Sequence, residues 1–181
     1  MKIFFIRHAE AIEREEWTGD DMSRPLTAKG KRTASAMADF LRMSDNQPQR
    51  FISSEAIRAK ETAAIFAGRT RVQISQILNP GCTMNAFGKL LKKCGQKKGI
   101  AVVGHEPDFS VIMAELIGDG SARIKMAKAA CAIVEYETGC GRLLALLSPA
   151  MSGKKFPRIG KKRARNFQSL EKTGGRRLGA R

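Results

Sequence analysis

The chain has 181 residues, 43% of them apolar, which suits one domain with a real core and little room for a second. Its 33 Lys and Arg against 17 Asp and Glu give a formal net charge of +16, which excludes an acidic solvating chain and favours anionic partners. The four cysteines (Cys82, Cys94, Cys131, Cys140) form no C-x-x-C pair and have only two histidines to join them, so neither a zinc site nor a disulfide framework is expected, and no apolar run is long enough to span a membrane.

The first element is a strand. Ile3, Phe4, Phe5 and Ile6 are a short β-branched and aromatic run, read as a buried strand that ends in Arg7-His8. A run this short followed by Arg is not a secretory leader, so the expected compartment is the cytoplasm. The acid-rich stretch from Glu10 to Asp21, with Trp17, reads as a loop or a short irregular helix. Pro25 and Thr27 then prepare a helix from Ala28 to Met43, with Thr27 as N-cap and Ala34, Met37, Ala38 and Leu41 on its inner face. Asn46 to Pro48 is a turn, and Arg50 to Ser53 is a second strand.

Glu55 to Ala67 reads as a helix with Ile57, Thr62, Ile65 and Phe66 inside. Arg71 to Ser75 is a third strand, Asn79-Pro80-Gly81 breaks the chain, and Met84 to Cys94 is helical. Ile100 to Val103 is a fourth strand, followed by Gly104 and the second histidine, His105. Asp108 is placed to cap a helix that ends at Gly118, and Cys131 to Tyr136 with Leu143 to Leu147 form a hairpin. Strands alternate with helices, so the expected fold is α/β: a three-layer sandwich, its mostly parallel sheet covered by helices on both faces, with an antiparallel edge from the hairpin.

Both histidines follow a short apolar run at the end of a strand, where the ligand crevice of an open α/β sheet lies. Arg58 stands near the start of a helix that follows another strand. Two arginines, two histidines and a helix N-terminus make a pocket suited to a phosphoryl group. Arg7-His8, R-P-L-T-x-K-G at Arg24 to Gly30, S-S-x-x-x-R-A-x-x-T at Ser53 to Thr62, and Gly104-His105 occur in this order. In order and spacing they resemble the histidine phosphatase superfamily, of phosphoglycerate mutase-like fold. The compact region from 63 to 103 is similar to its SixA-type phosphohistidine phosphatases. The resemblance covers about residues 1 to 150.

The resemblance implies His8 as the nucleophile that becomes phosphorylated, with its other ring nitrogen held by a backbone carbonyl. It implies Arg7, Arg58 and His105 as the groups that hold the phosphoryl oxygens, and it implies no metal or cofactor. Two departures matter. Glu55 stands where many members have Pro and would put an acid beside the pocket. No Asp or Glu occurs between Glu61 and Glu106, where larger members carry their general acid; the stretch holds Arg69, Arg71, Lys89, Lys92, Lys93, Lys97 and Lys98 instead. An imidazole leaves a labile P–N bond with less help than an alkoxide needs, so a phosphoramidate such as protein phosphohistidine is favoured over an ester. Glu10, Glu13, Asp20, Asp21 and Glu106 are the acids that could still reach in. Glu13→Gln and Glu106→Gln are each expected to keep phosphohistidine turnover within about tenfold.

The expected substrate is therefore a phosphorylated signalling or phosphotransfer protein. The alternatives are a small-molecule phosphate ester or anhydride, or a phospho-ligand adaptor, against which the paired histidines argue. Residues 151–181 hold 11 basic residues and one acid, Glu171, with few apolar positions, and are expected to be a disordered tail. Such a tail could contact nucleic acid or an acidic surface through charge. A chain ending at Ala150 that keeps its activity but loses DNA or acidic-vesicle binding at low salt would identify it as a tether.

Overall fold

The apolar run Ile3–Ile6 lies at the centre of the sheet. The protein, as a computed structural model, is described over residues 1–43, 47–95, 99–137 and 139–152. Six strands are arranged in the order β3-β2-β4-β1-β5-β6. They are β1 (Lys2–Arg7), β2 (Arg50–Ser53), β3 (Val72–Ile74), β4 (Gly99–Gly104), β5 (Cys131–Glu137) and β6 (Cys140–Leu147). The first four run parallel, β5 adds antiparallel to β1, and β6 pairs antiparallel with β5 at the edge, as the sequence suggests.

Five helices accompany the sheet: α1 (Ala28–Arg42), α2 (Ile57–Ala67), α3 (Met84–Cys94), α4 (Asp108–Ile117) and the single turn α5 (Pro149–Ser152). Because β1 and β4 are covered on both faces, their sequences are continuous apolar runs rather than alternating ones. Phe4, Ile6, Ala101 and Val103 pack with α1 and α2, whereas Ile3, Phe5, Ile100 and Val102 pack with α3 and α4. The Phe5 ring meets Phe87 at 5.3 Å and Phe109 at 5.2 Å between centroids, joining β1 to both helices of that face. Burying one such ring contributes about 2–3 kcal/mol.

Three expectations change in detail. The inner face of α2 is Arg58, Ala59, Thr62, Ala63, Phe66 and Ala67, while Ile57 and Ile65 are only half-buried. Small residues let α2 approach α1 closely, and Arg58 takes an inward position where it bonds Asp21. Asp108 does not cap its own helix. It opens α4, and its carboxylate accepts hydrogen bonds from the backbone N–H of Gly81 (2.8 Å) and Cys82 (3.0 Å), tying down the turn before α3. Met151 and Ser152 belong to α5, where the Met151 N–H bonds the Ser148 carbonyl, so the helical pattern runs two residues into the segment expected to be tail. The rest of that segment, with Asn46, Lys97 and Lys98, lies outside the described residues.

Candidate active site

The pocket follows from the register of three parallel strands. Arg7 of β1 pairs with Gly104 of β4, so the next residue on each strand is a histidine. The two imidazole centroids lie 5.2 Å apart. Ser53 of β2 pairs with Val103 of β4, which brings Ser54 to the same level. From there the chain enters α2, whose first turn carries Arg58, 3% exposed. All four residues expected from the sequence thus meet at the carboxyl end of the sheet.

The tautomer of His8 is set by its neighbour. Nδ1 lies 2.8 Å from the Ala9 carbonyl oxygen, which can only accept, so Nδ1 donates and the neutral ring leaves Nε2 bare. The Ala9 peptide is fixed in turn: its N–H donates to Thr62 Oγ1 at 3.0 Å, and that hydroxyl donates to the Arg58 carbonyl at 2.7 Å. Thr62 is fully buried. Thr62→Val keeps the shape but orphans the Ala9 N–H, so we expect a stability loss of about 1–3 kcal/mol in denaturant titration. Because the Ala9 carbonyl would also shift, kcat is expected to fall while KM changes little.

Each arginine is anchored at one end and left open at the other. Arg7 Nη1 donates to the Met126 carbonyl at 2.7 Å. Arg58 donates from Nη1 to the Asp21 carbonyl at 2.6 Å and from Nη2 to the Asp21 carboxylate at 3.0 Å. The Nε of both is buried with no hydrogen-bond partner among the described residues. A buried N–H left unmade is costly unless a ligand completes it.

Burial lowers the pKa of His8 to about 4, helped by Arg58, Arg7 and Lys128 and opposed by the Ala9 hydrogen bond. Burial lowers that of His105 to about 3, helped by His8 and Arg58. Both are neutral at pH 7. An unfolded histidine takes its proton near 6.5, so between that pH and the folded values the unfolded state binds more protons. Stability is therefore expected to fall as pH drops from 6.5 toward 5, by about 1 kcal/mol per pH unit for each ring. Thermal unfolding over that range tests this, and His105→Asn should flatten the decline.

Of the acids considered from sequence, most are committed elsewhere. Glu10 bonds Lys29 (2.7 Å) and Thr27 (2.9 Å), which hold its carboxyl below the usual range. Glu13 pairs with Lys128 at 2.8 Å, with the same effect. Asp20 accepts the Met22 N–H as a cap. Burial pushes Asp21 up, but Arg58 and Arg24 outweigh it and keep it ionised. Glu55 is turned to Gln76 and Asn79, where it accepts from both amides. Glu106 alone goes the other way. Burial raises its pKa against the opposing pull of Ser110 and Arg7. Ser110 Oγ donates to its Oε2, while its Oε1 is buried without a partner among the described residues.

The family model of the histidine phosphatase superfamily (branch 1) matches residues 3–79, a span that contains Arg7-His8 and the Ser53–Thr62 motif. Over those residues the chain is similar to the histidine phosphatase superfamily. It is 28% identical over 150 residues to an uncharacterized protein of Picosynechococcus sp., covering 80% of this chain and 90% of that one. Its fold matches the protein histidine phosphatase SixA complexed with tungstate (TM-score 0.73, 23% identity, 83% of this chain and 99% of that one). It also matches a putative alpha-ribazole-5'-P phosphatase from Escherichia coli K-12 (TM-score 0.69, 18% identity, 82% and 97%).

Sequence reasoning did not find Asp21 as the partner of Arg58, the Met126 carbonyl behind Arg7, or Asn79. Backbone carbonyls leave no sequence signal, and Asn79 sat in a stretch whose Pro and Gly read only as a chain break. Ser54 lies in the Ser53–Thr62 motif with no role legible from sequence, and Thr62 is legible there only as part of the inner face of its helix. Among the described residues no helix is long and apolar enough to cross a membrane.

Proposed function

We propose that the protein is a phosphatase that removes phosphate from protein phosphohistidine through a phosphorylated His8. The observation that carries this is the bare Nε2 of His8 beside two arginines whose buried Nε–H groups lack partners among the described residues. The Nε2 lone pair attacks phosphorus in line. The bond from phosphorus to the leaving nitrogen breaks, and that nitrogen keeps the electron pair and takes a proton from solvent. Arg7, Arg58 and His105 hold the three phosphoryl oxygens, where charge spreads in the transition state. Water then attacks phospho-His8, releasing phosphate and restoring the neutral ring. The arginines supply positive charge at the phosphoryl oxygens throughout.

A small-molecule phosphate ester is the second reading, favoured by Glu106. Burial raises the pKa of this carboxyl, which follows His105 in the chain, and that suits it to give an alkoxide the proton it needs. The test is phosphate release from a phosphohistidine-bearing protein beside an aryl phosphate, in the wild type and in Glu13→Gln and Glu106→Gln. Turnover of the phosphohistidine substrate that stays within about tenfold in both variants, with weak ester turnover, supports the first reading. Strong ester turnover that collapses in Glu106→Gln supports the second. Activity on neither, with an intact fold, refutes both and directs the search to other metabolite phosphates.

A further inference from the structure

The hydrogen bonds behind His105 fix which of its nitrogens carries hydrogen. The Glu55 backbone N–H, which can only donate, points at Asn79 Oδ1 (2.9 Å), and Asn79 Nδ2 donates to Glu55 Oε2 (2.9 Å). The amide of Asn79 therefore has one orientation. Its Oδ1 also faces Ser54 Oγ at 2.9 Å, and an amide oxygen has no hydrogen to give, so the Ser54 hydroxyl proton is spent there. The Ala56 N–H takes one lone pair of Ser54 Oγ at 3.2 Å. What Ser54 offers His105 Nε2, 2.9 Å away, is its other lone pair. Nε2 must be the protonated nitrogen.

A neutral His105 of that tautomer has a bare Nδ1 left for a ligand. Facing a phosphoryl oxygen, that lone pair repels; only the imidazolium presents an N–H. We propose that His105 holds the phosphoryl group as an imidazolium, taking up one proton from solvent as a dianionic phosphoryl group binds. This rests on the reading of the pocket as a phosphoryl site and adds a proton to it. Besides burial, the titratable groups acting on the ring are Arg7 at the end of β1, His8 just after it, Arg58 from α2 and Asp21 from the 20–24 turn, with Asp21 alone favouring the cation. In the empty site burial, helped by the arginines, keeps the ring neutral. A bound dianion reverses that balance, so the positive charge of His105 exists only when there is substrate to hold. An unliganded pocket thus avoids a third cation beside Arg7 and the buried Arg58.

The experiment is calorimetric titration of the full chain with tungstate, a dianion through the neutral range, in two buffers of different ionisation enthalpy. The expected result is uptake of about one proton per tungstate by the wild type and by His8→Asn. Uptake should fall close to zero in His105→Asn. It should also fall in Ser54→Ala, where the freed ring can place its hydrogen on Nδ1 and donate while neutral. Tungstate binding with no proton uptake overturns the proposal and leaves the phosphoryl site standing. Uptake that survives in His105→Asn but vanishes in His8→Asn moves the proton to His8 and overturns it too. Absence of tungstate binding in the wild type would sink the phosphoryl site itself and the proposal with it.

Discussion

His8→Asn is expected to abolish turnover of a phosphohistidine substrate, by about 10⁴-fold or more in kcat, while leaving tungstate affinity within about tenfold. Asn is the informative replacement because its side-chain amide can still donate to the Ala9 carbonyl that His8 Nδ1 reaches at 2.8 Å. The wall of the pocket is kept and the proposed nucleophile is removed. Arg7, Arg58 and His105 remain to hold the anion, and they hold it in the ground state as well as in the transition state. Such groups cannot replace a missing covalent step, which divides one displacement into two. The readout is paired: phosphate release, and a phosphoryl label on the enzyme that is lost in acid and kept in base. Turnover in the variant above about one hundredth of wild type would place the nucleophile elsewhere.

Gly30→Ala should destabilise the fold by about 3 kcal/mol, against the usual sign for this change. In an exposed helix interior, alanine in place of glycine gains about 1 kcal/mol. Here Gly30 is buried in the first turn of α1, where the backbone of Glu10 crosses over it. A Cβ would overlap the Glu10 carbonyl oxygen and sit 2.9 Å from the Glu10 carbonyl carbon and 3.0 Å from its nitrogen. These are backbone atoms, so no rotamer change relieves the clash. The Glu10 carbonyl also accepts the Thr27 N–H at 3.0 Å, which locks the crossing. The steric cost outweighs the helix propensity gain. Because Glu10 follows Ala9, the displacement reaches the carbonyl that sets the His8 tautomer, and kcat should drop with stability. Denaturant titration gives the sign directly; a variant as stable as wild type would mean the crossing is soft.

The local elements were legible because each carries its own physical signal. Thr27 accepts the Gly30 N–H as an N-cap, and Ala34, Met37, Ala38 and Leu41 are buried, as helical periodicity requires. Arg50–Ser53 is the strand read from its composition. Where the reading slipped, the deciding contact was distant. Asp108 looks like a cap because its neighbours in sequence begin a helix, yet its carboxylate serves residues 81 and 82. Ile57 and Ile65 look like core because they are apolar, yet the closeness of α2 to α1 selects the alanines instead.

The sequence by itself determined the chemistry available at the site. It put Arg7 and His8 after one apolar run, His105 after another, and Arg58 in a motif with Ser54 and Thr62, and these are properties of residue type and order. The tertiary structure alone decided how those groups are charged. Strand order and register set Arg7 against Gly104 and Ser53 against Val103, which aligns three strand ends that lie far apart in the chain. Hydrogen bonds across those ends then assign a proton to His8 Nδ1 and to His105 Nε2, and leave Arg7 and Arg58 each with an Nε unpartnered among the described residues. Protonation depends on burial and on the lone pairs facing each nitrogen, and neither exists until the strands are side by side.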